Sequence, residues 1–109
     1  MLKSIISVYD KKSGVYLDPV IVPTVAQFKR TMFEMLLRDP NHPFRLFGED
    51  YVAFDYGCYD TDEGIFELEP TMKPVLNFHE LVSSPEFEKA LAMVIQDRDV
   101  EDRGGVTDE

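Results

Sequence analysis

Apolar residues gather in short β-branched and aromatic stretches at some places along this chain and recur at three- to four-residue spacing at others. "SIISVY" (Ser4 to Tyr9) and "VYLDPVIV" (Val15 to Val22) read as strands, and the polar residues between them end in Gly14, which suits a hairpin loop that needs positive φ. Pro19 interrupts the second run, so that strand belongs at a sheet edge or carries a bulge. Thr24 with Gln27 three residues on fits a helix start, and Val25, Phe28, Met32, Met35 and Leu36 follow helical spacing until Asp39-Pro40. "NHPFRLFGED" reads as loop. In "YVAFDYGCY", strict alternation would put Val52, Phe54, Tyr56 and Cys58 on one strand face. "IFELE" predicts a further strand, and residues 70–84 a connection with a helical turn at "NFHELV". Ser84 then reads as an N-cap with Pro85 at the first helical position, and Phe87, Leu91, Val94 and Ile95 form a stripe on a helix ending near Gln96.

The order strand, strand, helix, strand, strand, helix predicts an α+β domain over residues 1–96, with a four-stranded, mainly antiparallel sheet and the helices on one face. The two hairpin turns resemble each other: "VYDKKSGVY" (Val8 to Tyr16) and "CYDTDEGIF" (Cys58 to Phe66) share Tyr-Asp, three polar residues, Gly and an aromatic. Turn chemistry alone can produce such a match, and so can a repeated half-domain. Residues 97–109, "DRDVEDRGGVTDE", hold two apolar residues and a Gly pair, and are expected to form a flexible acidic tail.

A length of 109 residues allows one core, and 44% hydrophobic with 12% aromatic residues is far from the composition of a disordered chain. No apolar run approaches the roughly 20 residues that span a bilayer, and the N-terminus turns polar too soon for a signal peptide, so a cytosolic protein is expected. Small size and hydrophobic strand edges are compatible with a homodimer. Charge changes the picture more. Residues 1–45 hold seven basic and four acidic groups, whereas residues 46–109 hold four and seventeen, for a total of −10. A chain this acidic repels a polyanion at long range.

Signals for catalysis are weak. "DTDEG" (Asp60 to Gly64) starts like a calcium loop, but its Gly falls one place early and Thr71 stands where the closing Glu belongs. His42 and His79 are each isolated, the single Cys58 reads as a small buried hydrophobe, and no phosphate-binding or zinc-binding motif occurs. No enzyme activity, cofactor or metal site is expected. Signals for binding are better. Tyr9 and Tyr16 stand beside Lys11 and Lys12, Lys29 and Arg30 lie on the polar side of the first helix, and Arg38 and Arg45 follow it. Rings interleaved with cations hold single-stranded nucleic acid by stacking on bases and pairing with phosphates. On the residues alone, the simpler reading is that the Tyr rings complete a small core and the lysines solubilise a turn.

Two stretches carry a family resemblance: "SVYDKKSGVYLDP" (Ser7 to Pro19) and "DPNHPFRLFGEDYVAFDYGCYDTDEGIFE" (Asp39 to Glu67). In the second, Asp39, Pro40, Asn41, His42, the Glu49-Asp50-Tyr51 triplet, Phe54, Gly57, Tyr59-Asp60 and Gly64 carry the pattern. The chain resembles the small nonstructural protein of the gokushoviruses, which are microviruses, tailless bacteriophages with single-stranded DNA genomes. The resemblance implies a phage protein made in the infected bacterial cytoplasm and absent from the virion. It also implies DNA binding, with a part in the change from duplex replication to single-strand synthesis and packaging, and it supplies no catalytic residue. Two functional classes follow. One is a single-stranded-DNA-binding protein working through the basic N-terminal half; the other is an acidic adaptor that binds a basic replication or capsid protein without touching DNA.

Overall fold

Alternation along the first strand decides how the domain is layered. In the computed structural model, which describes the backbone of residues 1–107 and the side chains of residues 1–96, β1 spans Leu2–Asp10 and aims Ile6 and Val8 at one side of a sheet and Ile5, Ser7 and Tyr9 at the other. The expected second strand is split at Leu17–Pro19 into β2 (Val15–Tyr16) and β3 (Val20–Val22), and both pieces pair with the same edge of β1. Pro19 donates no backbone hydrogen bond, so the ladder opens there. The Ser7 hydroxyl donates to the Leu17 carbonyl at 2.6 Å and fastens the opened segment back onto β1.

Helix α1 (Val25–Arg38) begins where Thr24 Oγ1 accepts from the Gln27 amide at 3.0 Å, and buries Phe28, Leu36 and Leu37. "NHPFRLFGED" is more regular than the expected loop. His42 Nδ1 accepts from the Phe44 amide at 3.0 Å and caps a single helical turn, α2 (Pro43–Leu46), before a 3-10 turn at Gly48–Asp50.

The strand β4 (Tyr51–Asp60) lies antiparallel beside β1, and β5 (Ile65–Asn77) pairs antiparallel with β4. β5 runs far beyond "IFELE", through Pro70 and Pro74. It survives both prolines as an edge strand whose ladder is interrupted: Glu69 to Met72 pass opposite the single residue Tyr56. Helices α3 (Phe78–Val82), capped by Asn77, and α4 (Pro85–Thr107), started by Ser84 Oγ accepting from the Phe87 amide at 3.2 Å, complete the chain. The α4 backbone continues through Thr107 instead of ending near Gln96. No proline interrupts the stretch, but Asp97, Asp99, Asp102, Gly104 and Gly105 are poor helix formers, so intrinsic propensity does not explain the continuation. The expectation of a flexible tail over 97–109 concerns side chains and termini outside the described residues.

The result is an α+β fold: one antiparallel sheet, ordered β2/β3, β1, β4, β5, with the helices against one face. Ile6, Leu36, Phe78 and Phe87 are fully buried between the layers, each contributing about 1.5–3 kcal/mol by leaving water. The Phe33 and Phe87 rings meet edge to face at 5.5 Å where α4 crosses α1. Of the expected α4 stripe, Phe87 and Leu91 pack inward and Ile95 faces water.

Both hairpins close with one and the same turn. The Gly14 amide donates to Asp10 O at 2.8 Å and the Gly64 amide to Asp60 O at 2.8 Å, with φ of 73° and 69°. The Asp10 carboxylate accepts from the Lys12 amide, and the Asp60 carboxylate from the Asp62 amide, each at 2.9 Å. "DTDEG" is thus a hairpin turn whose first carboxylate folds back on its own backbone. Desolvation alone would raise the Asp10 carboxyl, but hydrogen bonds from Ser13 and Lys12 and the nearby Lys12 ammonium outweigh it and hold it below its usual range. Because β1 and β4 are antiparallel, pairing Asp10 with Tyr51 and Leu2 with Asp60, the two turns stand at opposite ends of the sheet.

Candidate nucleic-acid interface

With helices on one face, the other face of the sheet carries whatever the opposite alternation supplies. On β1 this is Lys3, Ile5, Ser7 and Tyr9; Tyr16 stands opposite Tyr9, Ile21 opposite Ile5, and Phe54 opposite Ser7. Tyr56 is the extra residue of a β-bulge, because Ile5 pairs with Gly57 and Ile6 with Asp55. The bulge resets the alternation. Tyr59, opposite Lys3, therefore joins this face with its partners Phe66 and Leu68 across the hairpin, and Cys58 turns to the other side with Ser4 and Glu67. Strict alternation had placed Cys58 beside Phe54 and Tyr56, and it fails because one residue is inserted.

Gly57 makes the bulge possible. Its φ is 141°, and a Cβ built there would lie 2.1 Å from the Glu67 carbonyl oxygen, so no side chain fits. The Asp55 carboxylate accepts from the Gly57 amide at 3.0 Å and holds the bend.

The outcome is a surface of rings. Tyr9 and Tyr16 pair at 4.6 Å, Tyr16 reaches Phe54 at 6.1 Å and Tyr56 at 6.0 Å, and Tyr59 pairs with Phe66 at 4.7 Å. A groove crosses the middle, floored by buried Ile5 and Ser7 and flanked by Tyr16, Leu17 and Pro19 on one side and Tyr56, Phe66 and Leu68 on the other. Tyr16 is 42%, Phe66 58% and Leu68 67% exposed, so the rings are available to a ligand. Chemically the face offers stacking platforms with the phenolic hydroxyls of Tyr9, Tyr16, Tyr56 and Tyr59 as its polar groups, the Ser7 hydroxyl being spent on Leu17.

The charges sit at its ends. Lys11 and Lys12 occupy the exposed turn beyond Tyr9 and Tyr16, and Asp62 and Glu63 the exposed turn beyond Tyr59 and Phe66. The terminal amine of Met1 donates to Asp62 Oδ2 at 2.6 Å and lies 3.8 Å from Asp60. Asp18 borders the groove.

Of the basic residues expected at a binding site, only Lys11 and Lys12 adjoin Tyr9 and Tyr16. Lys29 and Arg30 are exposed on α1, and Arg30 and Arg38 line a cleft between α1 and Val94 of α4, on the helical side of the sheet. Arg45 is employed in the fold: its Nη1 donates to the Leu36 carbonyl at 2.9 Å and its guanidinium lies 5.6 Å from the Phe87 ring centroid. The named cations therefore do not converge on one surface. Residues missed as candidates are Lys3, Phe54, Tyr56, Tyr59 and Phe66. Phe54 and Tyr56 were visible as one strand face; Tyr59 and Phe66 were not, because the bulge that brings them round leaves only a glycine in the sequence.

On the opposite side of the hairpin, desolvation first and then the carboxylates of Glu67, Glu69, Asp60 and Asp55 push the Cys58 thiol up, which keeps it protonated and a poor nucleophile. Among the described residues, no three His, Cys, Asp or Glu side chains cluster in a way that could hold a metal ion. Nor is any described helix long and apolar enough to cross a membrane.

Compared with known protein families, residues 3–81 match the model of the family described as Phage ORF5 protein. The chain belongs to that family. It is accordingly a phage protein, and the part that matches the Phage ORF5 family contains nearly all of the sheet, with α1 and α2, and ends within α3. Every ring of the aromatic face lies inside this segment, while α4 lies beyond it. No curated protein and no solved structure matches the chain.

Proposed function

We propose that this phage protein binds single-stranded DNA on the aromatic face of its sheet. It acts in viral genome replication, at the change from duplex copying to single-strand synthesis and packaging, in the cytoplasm of the infected bacterium. Its place is that of the small nonstructural protein of gokushoviruses, and its role is binding, without catalysis. The observation that carries this reading is the arrangement of Tyr9, Tyr16, Phe54, Tyr56, Tyr59 and Phe66 on the sheet face opposite the one against which the described helices pack. Every base has a π face, so such a row holds a strand without reading its sequence.

Stacking must supply most of the affinity, because the net charge of −10 opposes a polyanion and the cations near the rings are Lys3, Lys11 and Lys12. Three phosphate contacts would give a salt slope of roughly −2, at about −0.7 per contact on a single strand.

The test is fluorescence anisotropy of a labelled oligonucleotide at low salt. Tyr16→Ala and Phe66→Ala are each expected to cost on the order of 1–3 kcal/mol at any salt, whereas replacing Lys11 and Lys12 by Ala flattens the salt slope. No binding at about 50 mM salt, where phosphate contacts are near their strongest, would defeat this reading. The acidic adaptor for a basic replication or capsid protein, which the net charge of −10 favours, would then take its place.

A further inference from the structure

We propose that, without DNA, two copies of this chain close their aromatic faces on each other about a two-fold axis, so that self-association masks the DNA site. The competition with DNA rests on the function proposed above; the dimer stands on its own.

Three observations lead here. First, the face is too apolar to be left in water: besides Tyr16, Phe66 and Leu68, it exposes Leu17 beside the groove and Ile21 opposite Ile5. An exposed patch of this kind on a monomer marks an interaction surface.

Second, the face is built to match itself. Lys3 and Tyr9 lie equally far from Ile6, the middle of β1, and Tyr59 stands opposite Lys3. The Tyr9/Tyr16 ring pair and the Tyr59/Phe66 ring pair are therefore placed on either side of the central groove, with similar spacings of 4.6 and 4.7 Å. The pairs lie on different strands, Tyr9/Tyr16 on β1 and β2 and Tyr59/Phe66 on β4 and β5, so the line joining them runs diagonally over the face. A two-fold axis in the plane of the face and perpendicular to that diagonal lays each pair on the other pair of the second copy, the isologous contact a symmetric dimer requires.

Third, charge selects that axis. The turn beyond one ring pair carries Lys11 and Lys12, and the turn beyond the other carries Asp62 and Glu63. An axis along the diagonal would set lysines against lysines and acids against acids. The axis perpendicular to the diagonal sets the lysine turn of each copy against the acidic turn of the other, at both ends of the interface.

Sedimentation velocity on the full chain tests this by charge reversal. Lys11→Glu with Lys12→Glu, and separately Asp62→Lys with Glu63→Lys, are each expected to weaken the dimer roughly tenfold or more, because repulsion replaces attraction at both ends. Mixing the two variants should restore a dimer, and so should combining all four substitutions in one chain. A misfolded variant could not be rescued in this way. Asp62 also holds the Met1 amine, so Glu63→Lys alone serves as a second, milder reversal. Wild type that stays monomeric at the highest attainable concentration, or a dimer indifferent to both reversals, would overturn the proposal. Added oligo-dT should convert the dimer to a monomer with DNA bound, and DNA bound on an intact dimer would overturn the masking. A dimer that binds no DNA strikes the proposed function alone, and a monomer that binds DNA strikes the dimer alone.

Discussion

At the scale of single residues, Gly57 has more depending on it than any ring it helps to place. It lies in the sheet at φ 141°, and the nearest atom to a hypothetical Cβ is the Glu67 carbonyl oxygen, a backbone atom that cannot rotate away. Gly57→Ala must either push β5 off β4 or remove the bulge. We expect destabilisation on the order of 3 kcal/mol, combining backbone strain with a steric clash, read as a lower midpoint in urea unfolding. The surviving folded fraction should also lose DNA affinity, because removing the bulge would shift Tyr59 and Phe66 off the face that holds Tyr16. A fully stable Gly57→Ala protein would show that the bulge is not fixed by this residue. Arg45 teaches the opposite lesson. Its charge suggested a phosphate ligand, but its bond to the Leu36 carbonyl and its place beside Phe87 make it part of the helical layer.

At the scale of elements, the two hairpin turns are the same object written in different charges. Each has Asp as first residue, Gly as last in the left-handed region, and no atom within 4 Å of a Cβ built on that glycine. Gly14→Ala and Gly64→Ala should therefore cost only the conformational penalty, about 1–2 kcal/mol each, and by similar amounts. Unequal melting shifts, with one variant near wild type, would mean that the turns are alike in outline only. Much of this architecture was legible because turns and caps are local: Asp10 to Gly14, Asp60 to Gly64, Thr24, Ser84 and Asp39-Pro40 mark boundaries within a few residues of themselves. The rest depended on distant partners. The length of β5 depends on β4 accepting two prolines along an interrupted edge, and the short turn α2 depends on His42 capping it. The ring pair Tyr9/Tyr16 could be read across its turn, but its union with Phe54 and Tyr56 required the β1–β4 pairing, which is long-range.

At the scale of the whole molecule, the question is how a chain of charge −10 could hold the polyanion proposed as its ligand. Helices cover one side of the sheet and rings the other, and an acidic segment, residues 97–109, continues the chain beyond the part of α4 that packs on the core. That segment carries six acidic and two basic residues, so truncation after Gln96 brings the chain from −10 to −6. The residues that anchor α4, Phe87 against Phe33 and Leu91 against the core, all precede the cut. The melting temperature should accordingly stay nearly unchanged, and a drop of many degrees would mean that the removed part packs. Affinity for single-stranded DNA should rise at low salt, because a repulsive field is removed. The gain should fade as the Debye length shrinks to about 8–10 Å near physiological ionic strength, as expected of a segment that acts through its field and not by contact. The Phe66→Ala loss should persist at every salt concentration, because stacking is a contact term. Measuring both variants across a salt series separates field from contact. An affinity equal to that of the full chain at low salt would show that the acidic segment lies too far from the rings for its charge to be felt there.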